Sequence, residues 1–188
     1  MALQTHFDFR SPTRIVHGPG SRAQLADFLN EEKPLVVTDK GLVIAGVVDS
    51  VLDVLTRAGI DFVLYDGALP NPPARCVHAG ERLYKKAQCT AIVAVGGGSP
   101  MDVAKMIGVV VGHGGRIERY LGADKVPGAI PPLYCLATTY GTGSEVTPFA
   151  VLTNPKTHNK DPVISWHIAP LVGILDPELC AALPLSVG

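Results

Sequence analysis

The chain has 188 residues and a formal net charge of −1 at pH 7. Hydrophobic residues make up 47% of it and charged residues 18%, a composition that excludes an intrinsically disordered chain and suffices for the core of one domain. Because there is no basic excess and no run rich in lysine or arginine, nucleic acid is not expected as a partner.

The cellular location is predicted from cysteine use and from the N-terminus. The four cysteines are scattered without a C-x-x-C pair, which is typical of proteins that keep their thiols reduced. Residues 1–10 include Asp8 and Arg10 and lack the apolar run of a signal peptide. The apolar stretches are all far shorter than the roughly 20 residues that span a bilayer. We therefore expect a cytoplasmic protein without a membrane partner.

Short apolar strands alternate with helical segments along most of the chain. In chain order we predict an edge strand or hairpin over 9–17, a helix over 21–30 capped by Ser21, a strand over 35–38 and a helix over 47–58. A strand over 62–65, a helix over 74–87, a strand over 91–95, a helix over 101–111 and a strand from 133 follow. Strands separated by helices of about ten or more residues form βαβ units. The predicted fold class is therefore α/β, with a parallel, Rossmann-like sheet.

The pattern changes after residue 149. Residues 150–153 and 163–166 flank a polar turn over 154–158 and predict a β-hairpin, and residues 172–175 predict one more strand. The last residues show neither a helical pattern nor a polar tail, so we expect the printed sequence to stop at a boundary between two domains.

A run of three glycines and a serine, at 96–99, follows the strand predicted over 91–95. Without Cβ atoms, its backbone N–H groups can approach a phosphate closely, and the helix that begins there favours negative charge at its N-terminus. The run predicts a pyrophosphate site. The alternative is a tight strand-to-helix turn that binds no ligand.

The helix after this run places an acid and a base three residues apart. At this spacing Lys105 is expected to pair with Asp102 or to face solvent. The segment lacks the Gly-Lys-Ser/Thr of a P-loop, so backbone groups are expected to bind the phosphate.

A second loop, over 138–145, is rich in hydroxyl groups and follows the strand predicted from 133. Its four serine and threonine hydroxyls and two glycines can bind phosphate, ribose and the rim of a nicotinamide. An ordinary polar loop is the alternative. Two such loops at strand ends of one α/β chain indicate a phosphate-bearing cofactor that lies across the ends of the strands.

An acidic residue, Asp39, follows the strand predicted over 35–38. A carboxylate at such a position accepts hydrogen bonds from a ribose 2′-hydroxyl and repels a 2′-phosphate, which favours NAD over NADP. Capping of a helix is the alternative role. The segment over 18–23 also fits G-x-G-x-x-A, but the match is weak because a proline stiffens the turn.

The histidines do not predict a metal site within this chain. No two of the six are spaced i, i+4 on a predicted helix, and none has a clear carboxylate partner for a metal. The absence of a G-x-S-x-G motif also argues against a Ser-His-Asp hydrolase.

Taken together, these segments resemble the iron-containing (group III) alcohol dehydrogenases. The resemblance is found in the run over 96–105 and in the loop over 138–145, and it is supported at Gly18, at Asp39, at Asn71 and around the Leu-Asp-Pro-Glu-Leu run over 175–179. It implies an N-terminal dinucleotide-binding domain over 1–188, similar in fold to dehydroquinate synthase. It also implies an all-helical domain that would begin at about residue 185 and is not contained in this sequence.

The resemblance implies a set of cofactor contacts. Asp39 would contact the adenosine ribose, Lys160 a ribose, and Leu179 and Leu183 the adenine or ribose, while Phe149 and Val151 would line the nicotinamide and substrate pocket. The full cofactor-binding set is Asp39, Asn71, Gly96, Gly97, Gly98, Ser99, Asp102, Thr138, Thr139, Thr142, Ser144, Thr147, Phe149, Val151, Lys160, Leu179 and Leu183.

The resemblance also implies an activity, the transfer of a hydride between a small alcohol or aldehyde and NAD(H), in a homo-oligomer such as a dimer. In the family, one aspartate and three histidines of the helical domain hold Fe²⁺ or Zn²⁺, so neither metal ligands nor catalytic residues are expected within this chain. Two other functions stay open: a metal-independent reductase of the maleylacetate reductase type, and a non-catalytic nucleotide-binding module.

Overall fold

A six-stranded parallel sheet is the centre of the structure. The computed structural model of the protein describes residues 10–153 and 159–181. The strands of the described residues are β1 Arg14–His17, β2 Pro34–Val37, β3 Val63–Tyr65, β4 Ala91–Gly96, β5 Gly122–Ala123, β6 Leu133–Ala137, β7 Phe149–Thr153, β8 Lys160–Ile164 and β9 Val172–Leu175. The large sheet has the order β1-β9-β6-β4-β2-β3, and each neighbouring pair is parallel. The predicted fold class is confirmed.

The central strands are apolar along their whole length because helices cover both faces of the sheet. All six residues of β4 are buried, and they alternate between two cores. Ile92 and Ala94 belong to the core on one face, while Val93 and Val95 belong to the core on the other.

The helices divide between the two faces. They are α1 Leu25–Leu29, α2 Lys40–Ile44, α3 Asp49–Arg57, α4 Ala74–Lys86, α5 Gly98–His113 and α6 Pro177–Cys180. Apolar side chains of α1, α2 and α3 join the core that contains Val93, whereas those of α4 and α5 join the core that contains Ile92. The connection therefore changes face between β2, which leads to α2 and α3, and β4, which leads to α5.

A small second sheet, of order β5-β8-β7, covers the outer side of α5. Strands β7 and β8 are antiparallel, with Phe149 opposite Ile164 and Thr153 opposite Lys160, which confirms the predicted hairpin. Its turn, over 154–158, lies outside the described residues.

Several local predictions were wrong. Helix α2 was not predicted, and α5 begins at Gly98, not at residue 101. Of the two alternatives predicted over 9–17, the edge strand is the one found, since β1 lies at the edge of the sheet and pairs in parallel with β9. Ser21 is not a cap, because Gly20 occupies the N-cap position and the buried Ser21 Oγ has no hydrogen-bond partner in the described structure.

Candidate functional site

A pocket of about 1140 Å³ lies at the carboxyl ends of β2 and β4. It is found where the chain changes face of the sheet, which is the position at which open α/β sheets bind their ligands. Of the predicted cofactor-binding residues, the pocket is lined by Asp39, Gly97, Gly98, Ser99, Thr138, Thr139 and Thr142. These residues belong to three separate segments of the chain.

The glycine run forms the turn from β4 into α5. Gly96 has a φ of 153°, and a Cβ there would lie 2.6 Å from Pro100, so glycine is required. Gly97 is the N-cap of α5 and the first turn contains no acidic residue. Because the first N–H groups of a helix lack intrahelical partners, this end of the 16-residue helix offers donors and a positive dipole to an anion.

The two predicted loops face one another across the pocket. Because β4 pairs with β6, Gly96 lies opposite Ala137, and the loops continue from these two residues. A Cβ placed on Gly97 would lie 2.8 Å from Thr139 Oγ1, and one placed on Gly98 would lie 3.5 Å from Ser144 Oγ. The hydroxyl-rich loop therefore stands directly over the glycine run.

Two threonine hydroxyls in this pocket are buried and unpartnered. Neither Thr138 Oγ1 nor Thr139 Oγ1 has a hydrogen-bond partner in the described parts of the chain. A buried hydroxyl without a partner costs about 1–3 kcal/mol, so a ligand that offers acceptor or donor oxygens stabilises this arrangement. Together with the helix N-terminus, these hydroxyls fit the phosphate and ribose groups of a dinucleotide.

Asp39 caps a helix and also lines the pocket, while its contact with the adenosine ribose stays a prediction. It is the N-cap of α2, where its Oδ1 accepts a hydrogen bond of 3.0 Å from the backbone N–H of Leu42. It also lines the pocket. The cap occupies Oδ1 and fixes the direction of the carboxylate, so Oδ2 can accept from a ligand hydroxyl.

Helix α4 forms a wall of the pocket that the sequence did not indicate. Arg75, Ala79 and Arg82 line it, and their spacing of four and three residues places them on one face of α4. Lys40 and Asp66 add further charges to the rim. The helical spacing was the available signal, but exposed arginines on a helix usually indicate only a solvated face.

None of the other predicted residues in the described parts of the chain lines the pocket. Asn71 is exposed with a φ of 50°, Lys160 is exposed on β8, and Leu179 is 2% exposed in the core that contains Val93. Leu183 lies outside the described residues. Ser144 stands over Gly98, and Phe149 is 47% exposed. Cofactor contact by these residues stays a prediction.

The expectation for Lys105 was wrong. Its side chain is fully buried, and its Nζ donates to the backbone oxygens of Thr147 and Phe149 at 2.8 and 2.7 Å. Asp102 Oδ2 instead accepts from the backbone N–H of Val151 at 3.1 Å. The two side chains bind the same segment and not each other, because β7 covers the face of α5 that the sequence left open to solvent.

The G-x-G-x-x-A segment does not face the pocket. Its N–H groups at Gly20 and Arg22 donate to the carboxylate of Asp176, which follows β9, and Arg22 Nη1 donates to the same carboxylate at 2.7 Å. Asp176 also accepts from the N–H of Glu178 as the N-cap of α6. This loop is therefore closed by a side chain and offers no phosphate site.

Within residues 10–153 and 159–181, no group of three or more His, Cys, Asp or Glu side chains could hold a metal ion. Over the same residues, no helix is long and apolar enough to cross a membrane. The described residues thus fit a dinucleotide and do not fit a catalytic metal.

Over almost its whole length the chain is similar to known dehydrogenases. The chain is 44% identical to choline dehydrogenase of Bacillus subtilis, in an alignment that covers 99% of this chain and 48% of that protein. It is 41% identical to 1,3-propanediol dehydrogenase of Citrobacter freundii, over 95% of this chain and 47% of that protein. It is 38% identical to NAD-dependent methanol dehydrogenase of Bacillus methanolicus, over 96% of this chain and 48% of that protein. The chain spans about half the length of these relatives.

A solved structure and a family model match over nearly the same residues. The crystal structure of a 1,3-propanediol oxidoreductase superposes with a TM-score of 0.91 at 39% identity, over 97% of this chain and 48% of that one. The family model for iron-containing alcohol dehydrogenases matches residues 12–177. The chain belongs to the iron-containing alcohol dehydrogenase family.

Proposed function

We propose that this chain is the cofactor-binding half of an NAD(H)-dependent alcohol dehydrogenase, which transfers a hydride between a small alcohol or aldehyde and the nicotinamide. The observation that supports the proposal most is the meeting of the N-terminus of α5 with two unpartnered threonine hydroxyls, Thr138 and Thr139, in one pocket with Asp39.

The charge of the cofactor matches this arrangement. A pyrophosphate has two negative charges, and the N–H groups at Gly98 and Ser99 lie at the positive end of a 16-residue helix. Glycines at 97 and 98 leave room for the phosphate oxygens to approach the backbone. Thr139 and Thr142, which line the same pocket, would donate to the phosphates or to the second ribose.

Asp39 supports NAD as the cofactor. The carboxylate would accept a hydrogen bond from the adenosine ribose, and it would repel the 2′-phosphate of NADP. The methanol dehydrogenase of Bacillus methanolicus, one of the relatives, is described as NAD-dependent. Lys40 and Arg75, which line the same pocket, offset part of this repulsion.

The bound nicotinamide would accept the hydride from the alcohol or donate it to the aldehyde. This chain's own part in that reaction is to bind and orient. The loop over 138–145 would hold the cofactor against the carboxyl ends of β4 and β6, and Phe149, exposed beside it, would cover the ring.

The assembly and location of the protein are further parts of the proposal. Large apolar side chains are exposed, with Ile44 at 86%, Ile15 at 54% and Leu171 at 53% exposure. Because burial between copies would remove these side chains from water, their exposure supports a homo-oligomer such as a dimer. The four cysteines have free thiols, which is typical of a cytoplasmic protein.

Titration with NADH, followed by its fluorescence, tests the proposal. We expect NADH to bind to the chain and NADPH to bind about tenfold more weakly, since close like charges cost about 1 kcal/mol or more. The Asp39→Gly variant should lose most of this preference. The Asp61→Gly variant, which removes an exposed carboxylate in a loop outside the pocket, is the matched control and should retain it. Failure of both cofactors to bind at millimolar concentration would overturn the proposal.

A further inference from the structure

Lys105 is a buried cation at the middle of α5. Its side chain has no exposure to solvent, and its Nζ lies within hydrogen-bond distance of three oxygens. Two are the backbone oxygens of Thr147 and Phe149, and the third is Thr147 Oγ1 at 3.4 Å. A buried ammonium is tolerated only when such partners replace its lost water, so this contact is specific in geometry.

Asp102 lies one turn earlier on the same face of α5. Its Oδ2 accepts from the N–H of Val151, two residues beyond the last oxygen that Lys105 binds. Two charged side chains of α5 therefore bind a single five-residue segment, 147–151: Lys105 binds its backbone oxygens and Asp102 binds a backbone N–H. Burial lowers the pKa of Lys105. Glu145, which lies just before that segment, partly opposes this shift because its negative charge favours the protonated form of Lys105.

This segment lies just after the hydroxyl-rich loop and leads into β7 at Phe149. The loop begins at Thr138, whose N–H donates to the oxygen of Gly96, the last residue of β4. The start of the loop is thus bound to the end of β4, and the segment after it is bound to the middle of α5 through Lys105. Between these two attachments lie Thr139, Thr142 and Ser144, which face the glycine run.

We propose that Lys105 is a positioning residue for the nicotinamide end of the cofactor: by binding segment 147–151 to α5, it fixes the hydroxyl-rich loop at a set distance from the glycine run. The inference rests on the proposed function. Asp39 follows β2 and is fixed by its cap on α2, neither of which Lys105 touches, so the adenosine contacts are independent of it.

Two ligands separate the positioning role from a general loss of structure. NADH and AMP share the adenosine and its phosphate, and only NADH carries the second phosphate, the second ribose and the nicotinamide that the loop would contact. We expect Lys105→Met, of similar length but without the charge, to weaken NADH binding about tenfold while AMP binding changes by less than about threefold. Both would be titrated by calorimetry against the parent chain. Lys85→Met, at an exposed helical lysine outside the pocket, is the matched control.

A second variant guards against a failure to fold. Lys105→Gln retains N–H donors on a neutral side chain one atom shorter, and it should show a smaller loss that is again confined to NADH. Equal losses for NADH and AMP in the folded variants, or no loss for either, would overturn the inference while the proposed function stands. If the parent chain binds neither ligand, the proposed function fails and this inference fails with it.

Discussion

The Oγ1 of Thr139 lies 2.8 Å from where a Cβ of residue 97 would be, so only glycine at 97 leaves this hydroxyl in place. Gly97→Ala should therefore displace Thr139 and weaken the binding of NADH about tenfold or more, because both the hydroxyl-rich loop and the glycine run change. NADH titration and thermal unfolding would be measured together.

Gly112→Ala is the matched control for that substitution. It lies on the same helix, where a Cβ would meet only ordinary contacts of 3.6 Å or more, to Pro131 and its neighbours. It should leave NADH binding unchanged and stabilise the chain by about 0.5–1 kcal/mol, the usual gain of alanine over glycine in a helix. Equal loss of affinity in both variants would contradict the role given to Gly97.

The pH dependence of stability should depend on the ionisation of the Asp102 carboxyl. Burial raises the pKa of its carboxyl to about 6 from 3.8, although the nearby Lys105 charge and the N–H of Val151 oppose the shift. A carboxyl whose pKa is higher in the folded than in the unfolded chain stabilises the fold fully when the pH is below the unfolded pKa. This contribution is lost as the pH rises through the folded pKa. Between pH 4 and pH 6, the free energy of unfolding therefore falls by about 3 kcal/mol.

The Asp102→Asn variant removes that titration. The difference in unfolding free energy between parent and variant, measured by urea unfolding, should fall by about 3 kcal/mol from about pH 4 to about pH 6 and stay constant above. Asp53→Asn, at an exposed carboxyl of α3, controls for the loss of one negative charge. A difference that does not vary with pH would show that Asp102 ionises in the fold as it does in the unfolded chain.

Asp176 should be the acid on which stability depends in the opposite direction. Burial would raise its pKa, but hydrogen bonds from Arg22, Glu178 and Gly20 outweigh burial and hold the pKa below 3.8. Its contribution is therefore present above pH 4 and is lost as the pH falls through the lowered pKa. Asp176→Asn should cost about 3 kcal/mol at neutral pH, since its side chain is 0% exposed and Arg22 loses a charged partner.

An exposed ion pair is the control for Asp176. Arg57 and Asp53 lie 3.7 Å apart on the surface of α3, and Arg57→Met should change stability by less than about 0.5 kcal/mol. Urea unfolding at neutral pH would compare the two variants. Similar small losses in both would contradict the structural role of Asp176.

The contact of α4 with α5 should depend on Gly80. A Cβ at this position would collide with Ile107 Cδ1 on α5 and would lie 3.3 Å from Tyr65. Gly80→Ala should therefore destabilise the chain by about 1–3 kcal/mol. Adding Ile107→Val removes the colliding methyl group and should recover part of that loss, measured as a coupling energy in a double-mutant cycle. Additive losses would show that the two positions do not meet.

The parallel sheet and the hairpin could be predicted from the sequence because their strands are locally apolar and bounded by glycine or proline. Helix α2 could not, since its five residues, Lys40–Ile44, are too few for an apolar period, and it depends on a cap from Asp39. The local sequence likewise treats Lys105 as a surface charge. Its burial depends on β7, more than forty residues later, which covers α5.

The cofactor side of the pocket was predicted in part for the same reason. Glycine runs at strand ends are a local signal, and they correctly indicated Gly97, Gly98 and Thr139 as neighbours in one pocket. The wall from α4 was not predicted, because the position of Arg75 and Arg82 beside Asp39 follows from the order of the strands and from no motif.

The edge of the large sheet joins the two ends of the described chain. Strand β1 pairs only with β9, and Gly20 and Asp176, which close this edge, are 156 residues apart in the sequence. The entropy lost on closing so long a loop is recovered only after the central strands have formed. We therefore expect this edge to be the last part of the sheet to fold. On the ribosome, β1 would remain unpaired until Leu175 has emerged.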